Sequence, residues 1–131
     1  MNVWDYFDQW QRQCEANSLP SDSSYNDMCA AFAGSDENMG RIFGRLVISE
    51  RAYLSVSERV VIGDGRAYRE EYSYYLIVDD EEVFGRDRDL THVPPEHGHE
   101  GEGHEWIETG PISFQEVIDL AWERVTELDA F

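Results

Sequence analysis

A chain of 131 residues, 41% of them hydrophobic and 13% aromatic, has the composition of one globular domain with a real core. Its charge is the outlier: 28 acidic residues against 10 basic ones give a formal net charge of −18, and every basic residue is arginine. Such a surface repels polyanions over a screening length of roughly 8 Å at physiological salt, so unaided nucleic-acid binding is disfavoured. Three sources of the acidity compete: a salt-loving (halophilic) host whose cytoplasm screens the repulsion, a protein that mimics nucleic acid, or a genome that favours Arg over Lys.

The first residues, M-N-V-W-D-Y-F-D-Q-W, lack the basic start and apolar run of a signal peptide, and no later window is apolar enough to span a bilayer. The expected location is therefore the cytoplasm, with Cys14 and Cys29 as reduced core residues. Val3, Phe7, Trp10 and Cys14 follow helical spacing and predict a helix over 2–17 that stops before Pro20. A second, shorter helix is expected over 24–33, with Tyr25, Met28, Cys29 and Phe32 on one side. Together these make 1–35 a helical N-terminal segment.

From Met39 the period changes to two. Ile42, Gly44, Leu46 and Ile48 alternate with Phe43, Arg45 and Val47, and Leu54, Val56, Val60 and Ile62 with Tyr53, Ser55, Ser57 and Arg59. G-D-G at 63–65 suits a tight hairpin, and the run from Ala67 to Val78 is dense in aromatic and branched residues, with Tyr68, Tyr72, Tyr74 and Leu76 sharing a face. A turn at 79–81 leads into a short fourth strand, 82–88. The expected sheet is an antiparallel meander of about four strands over 39–88. An exposed tyrosine face on the third strand would suit a homodimer, although core packing explains it more simply. Ser113 and Glu116 have capping-box spacing and open a C-terminal helix over 113–128, whose apolar stripe from Phe114 to Leu128 should cover the sheet. The fold class is α+β in a single domain.

Chemistry concentrates between the fourth strand and that helix. All four histidines, His92, His97, His99 and His104, fall in a Gly- and Pro-rich stretch whose 89–110 portion reads as a long surface loop. As a metal site, the stretch offers His97 and His99 two residues apart, with His104 and Glu105 to complete a set for a divalent transition metal. As acid–base groups, the same imidazoles can take a 2′-hydroxyl proton and return one to a leaving 5′-oxygen. Arg86 and Arg88 would then neutralise charge on phosphorus. The surrounding carboxylates would repel a phosphate and weigh against that chemistry.

The order of tyrosine-rich strand, short strand ending in R-D-R-D, and Pro-containing loop with H-x-x-P and a close histidine pair, then a C-terminal helix, resembles the TumE-like toxins. These are small proteins paired with a helix-turn-helix antitoxin. The resemblance runs from Tyr68 to about Val125, under half of the chain. The family's arginine, tyrosine, aspartate and asparagine run stands here as Arg86-Asp87-Arg88-Asp89, without the aromatic and the amide. It implies a metal-independent endoribonuclease that expects no cofactor, with RNA as substrate and an antitoxin as partner. His97, His99, Arg86 and Arg88 would be the catalytic groups, and His92, His104 and Asp89 would bind substrate. The alternative of a different class is a non-catalytic acidic protein, either a nucleic-acid-mimicking inhibitor or a small metal-binding module.

Overall fold

The computed structural model describes residues 1–17 and 38–131. Helix α1 spans Val3–Ala16 and begins at a reciprocal cap. The Asp5 backbone N–H donates to the Asn2 side chain at 3.0 Å, and the Asn2 N–H donates to the Asp5 carboxylate at 2.8 Å, so two otherwise orphaned donors are satisfied. Val3, Phe7, Trp10 and Cys14 are its buried residues, as their spacing predicts. The helix expected over 24–33, and Cys29 with it, lies outside the described residues.

The sheet has six strands where about four were expected. They are β1 (Met39–Val47), β2 (Ala52–Gly63), β3 (Arg66–Val78), β4 (Glu81–Arg88), β5 (Glu96–Glu100) and β6 (Glu105–Glu108), hydrogen-bonded in chain order and antiparallel throughout. The correction falls on the histidine-rich segment: it is a hairpin added to the edge of the meander, with a loop over 89–95 before β5 and a tighter turn over 101–104 between β5 and β6. Among the described residues one helix, rather than two, precedes the sheet. Tight turns follow positive-φ positions at Asp64 and Gly65, and again at Asp79 and Asp80, so these hairpins take the mirror-image turns that match strand twist.

Helix α2 (Phe114–Glu127) opens at Ser113, whose hydroxyl accepts from the Glu116 N–H at 3.1 Å while the Glu116 carboxylate accepts from the Ser113 N–H at 3.3 Å. Phe114, Val117, Ile118, Ala121 and Val125 pack inward, whereas Leu128 is the exposed C-cap. Both helices lie on the same side of the sheet: Trp10 of α1 stacks on Phe114 of α2 with ring centroids 4.8 Å apart. Beneath them Ile42, Leu46, Leu54, Val56, Val60, Tyr72, Tyr74, Leu76 and Phe84 form the core. Tyr72 and Tyr74 are core residues. Tyr68 does not share their face, because Arg59 pairs with Glu71 and Val60 with Arg69. Glu70 is thus an extra, bulged residue that reverses the alternation beyond it and leaves Tyr68 exposed.

One carboxylate belongs to this core. Glu58 is fully buried and accepts hydrogen bonds from the Tyr6 hydroxyl, from Trp10 Nε1 at 3.1 Å and from the Tyr74 hydroxyl at 2.7 Å. Arg69 donates in turn to the Tyr74 oxygen at 2.9 Å. The network ties α1 to β2 and β3. Among the described residues no helix is long and apolar enough to cross a membrane.

Candidate functional site

The helices cover one face of the sheet; the chemistry stands on the other. Register assigns it row by row. Phe43, Ser57, Ser73, Asp87, His97 and Glu108 pair successively across the six strands, and Arg45, Ser55, Tyr75, Gly85, His99 and Trp106 form the adjacent row. On the other side of the first row, Arg41 pairs with Arg59 and Arg59 with Glu71. Side chains at every second position share a face, so residues distant in sequence line one cleft of about 450 Å³. Its walls include Arg41, Arg59, Tyr75, Asp87, His92, His97 and His99.

Asp87 is the centre of this cleft. It is 5% exposed, and its Oδ1 accepts from the Tyr75 hydroxyl at 2.8 Å. Burial first, then the hydrogen bond to Asp87 and its charge, push the Tyr75 phenol up to about 12, so near neutral pH it donates. The Tyr75 ring lies over Gly85, where an added Cβ would come within 2.6 Å of it; only glycine leaves that ring its place beside Asp87. Among the described residues Asp87 Oδ2 has no hydrogen-bond partner. His97 Nε2 stands 3.5 Å from it and His99 Nδ1 3.7 Å, both outside ordinary hydrogen-bond range.

His97 is as buried as Asp87. Its ring stacks on Trp106 at 6.0 Å and meets the rings of His92 and His99 edge-on at 5.0 and 5.3 Å. His99 retains 27% of its side-chain exposure and His92 55%, so these two present imidazole to the cleft. His92 is held at the mouth by the turn after β4: Asp89 accepts from the Thr91 N–H and hydroxyl and lies 3.3 Å from His92 Nε2. The two Thr91 donors hold the Asp89 carboxyl below the usual range.

The other expected residues lie elsewhere or are otherwise engaged. Arg86 has the opposite parity to Asp87 and is buried on the helix-covered face, where it donates to Glu100 at 2.7 Å. Arg124 of α2 holds both oxygens of the same carboxylate, at 2.7 and 3.0 Å. Gly98 makes room for this arrangement, since a Cβ there would fall 2.8 Å from the Arg86 guanidinium. Arg88 lines the cleft, but its guanidinium is engaged: it pairs with Glu96 and donates to the Glu70 carbonyl at 3.1 Å. His104 lies beyond the far end of β5, bound to Glu82 at 2.8 Å, and Glu105 is exposed on β6; neither joins His97 and His99. Asp87 takes the carboxylate place that Glu105 was expected to fill.

Arg41 and Arg59 were not foreseen, although the alternation already put Arg59 on the polar face of β2. They stand directly opposite each other, an arrangement of like charges that costs stability in a sheet. Neither forms an ion pair with any described residue, Glu71 included. Comparison with protein-family models, with curated proteins and with solved structures returns no significant match to this chain.

Proposed function

We propose that the protein is a toxin-type endoribonuclease that cleaves RNA by acid–base chemistry in the outer cleft. A single observation carries the reading: a protein of net charge −18 gathers three histidines around one open cleft, with two mutually opposed arginines that form no ion pair among the described residues. Arg41 and Arg59 hold the scissile phosphate and neutralise the charge that builds on it. Of the two imidazoles open to the cleft, His99 takes the 2′-hydroxyl proton as O2′ attacks phosphorus. His92 gives a proton to the 5′-oxygen as the P–O5′ bond breaks, leaving a 2′,3′-cyclic phosphate and a 5′-hydroxyl. His97 and Asp87 lie beneath them and position His99. The proposed partner is a helix-turn-helix antitoxin that covers the cleft.

The test is cleavage of a single-stranded RNA oligonucleotide by purified protein. H99A should lose roughly 10²–10⁴-fold in rate, and the double variant R41Q/R59Q should raise KM as well as lower kcat. Because the acidic body repels RNA, wild-type cleavage should speed up as added salt screens it, opposite to the behaviour of a basic nuclease. Undiminished cleavage by H99A would remove the histidine from the chemistry.

The second reading, a metal-binding module, draws on the unpartnered Asp87 oxygen between two imidazoles. It concerns the floor of the same cleft.

A further inference from the structure

We infer that Asp87, His97 and His99 form a binding site for a divalent transition-metal ion of the Zn²⁺ type, and that an ion bound there silences the cleft. The candidate ligand atoms are Asp87 Oδ2, one nitrogen of His97 and one of His99, all within 4.8 Å of one another. The two carboxylate–imidazole separations, 3.5 and 3.7 Å, are too long for hydrogen bonds. They are close to the edge of a tetrahedron around zinc, which is about 3.3–3.4 Å for ligand distances of about 2.0–2.1 Å. The two imidazole nitrogens lie within 4.8 Å of each other, so closing the set draws the rings together around the ion.

Burial makes the same point independently. Asp87 Oδ2 is shielded from solvent with no partner among the described residues, a position that leaves a carboxylate oxygen uncompensated unless a cation or a proton meets it. The other oxygen is already fixed by Tyr75, in the manner of groups that orient a metal-ligating carboxylate. His97 Nδ1, also buried without a partner, carries the ring proton when Nε2 ligates. Two imidazoles and one carboxylate suit Zn²⁺ and its neighbours rather than Ca²⁺ or Mg²⁺, and leave a coordination position toward the cleft.

The inhibitory half rests on the ribonuclease reading; the binding half does not. A metal on His99 Nδ1 occupies the lone pair and leaves Nε2 protonated. The ring then has no free nitrogen with which to take up a substrate proton.

The experiment is calorimetric titration of the purified, chelator-treated protein with Zn²⁺, repeated with Co²⁺ to read ligand-field absorption. One ion per chain is expected. D87N and H99Q should weaken binding more than about 100-fold, beyond the roughly 10–100-fold that a supporting group contributes and that Y75F should lose. H99Q, being partly exposed, keeps the test decisive if D87N fails to fold. H104Q, remote from the cleft, should bind as wild type. Binding that survives D87N and H99Q, or that is lost in H104Q, overturns the site. RNA cleavage is measured separately with one equivalent of Zn²⁺ and with chelator. Stoichiometric binding with unchanged cleavage overturns the inhibition and leaves the site. Cleavage without any metal binding overturns the site and leaves the ribonuclease reading, and the absence of both removes the two together.

Discussion

Two buried carboxylates, one on each face of the sheet, are treated in opposite ways. Glu58 lies under the helices with three donors aimed at it from Tyr6, Trp10 and Tyr74, so its hydrogen bonding holds the two layers together. Asp87 lies under the open face with one oxygen engaged by Tyr75 and the other facing two imidazoles at distances too long to bond. A buried polar group met on all sides belongs to the fold. One left half-met beside a cleft is held ready for something that arrives.

This contrast can be broken most sharply by exchanging charge for neutrality at each site. E58A should cost about 3–5 kcal/mol, because it strands three buried donors and opens a cavity, and thermal denaturation would show a large fall in Tm. D87N should leave stability within about 1 kcal/mol of wild type. Its amide oxygen still accepts from Tyr75 and its NH₂ can donate to the imidazoles. RNA cleavage by D87N should fall well below wild type. Equal destabilisation by the two variants would erase the distinction between the faces.

A smaller effect sharpens it. Replacing Arg41 by Gln relieves the opposition to Arg59 and should raise stability by roughly 0.2–1 kcal/mol while cleavage declines. A variant that was both less stable and fully active would make Arg41 structural.

The smallest expected effect concerns acid. Burial pushes the Glu100 carboxyl up, but hydrogen bonds from Arg124 and Arg86 outweigh it and hold the group below its ordinary value of 4.5. A carboxylate lowered by folding contributes stability above its unfolded pKa and loses it as pH falls through the folded one. E100Q should therefore be less stable than wild type near neutral pH, by about 1 kcal/mol or less given the solvent screening of these groups. The two denaturation curves should converge below pH 4.5, the upper edge of that window.

The helix-covered half of the molecule is legible because burial writes itself into periodicity. Val3 to Cys14, Leu54 to Ile62 and Phe114 to Val125 repeat at the spacing of their elements, and the Ser113 cap announces α2 outright. The E-H-G-H-E of β5 carries no such signal. Its outward positions are histidines, its inward ones are a glycine and two glutamates, and it is held by pairing to β4 and by the arginines that grip Glu100. Proline and glycine around it therefore read as loop. The site divides along the same line. His97 and His99 announce themselves by residue type, but choosing Asp87 over Arg86 required parity, since neighbours on a strand face opposite ways. Tyr75 and Arg59 lay on polar faces already visible in the alternation. Their meeting with Asp87 depends on the registers of β2, β3 and β4, which no local pattern encodes. Tyr68 was misplaced by one inserted residue, Glu70.

The central claim is that the outer cleft cleaves RNA through attack by the neighbouring 2′-oxygen, and the most direct measurement is mass spectrometry of the products. The substrates are an oligoribonucleotide and its all-2′-deoxy counterpart, both incubated in chelator. The account predicts fragments ending in 2′,3′-cyclic phosphate and 5′-hydroxyl from the RNA, no cleavage of the deoxy strand, and neither product from H99A. Cleavage of both strands, or 5′-phosphate ends that appear only when metal is added, would contradict it.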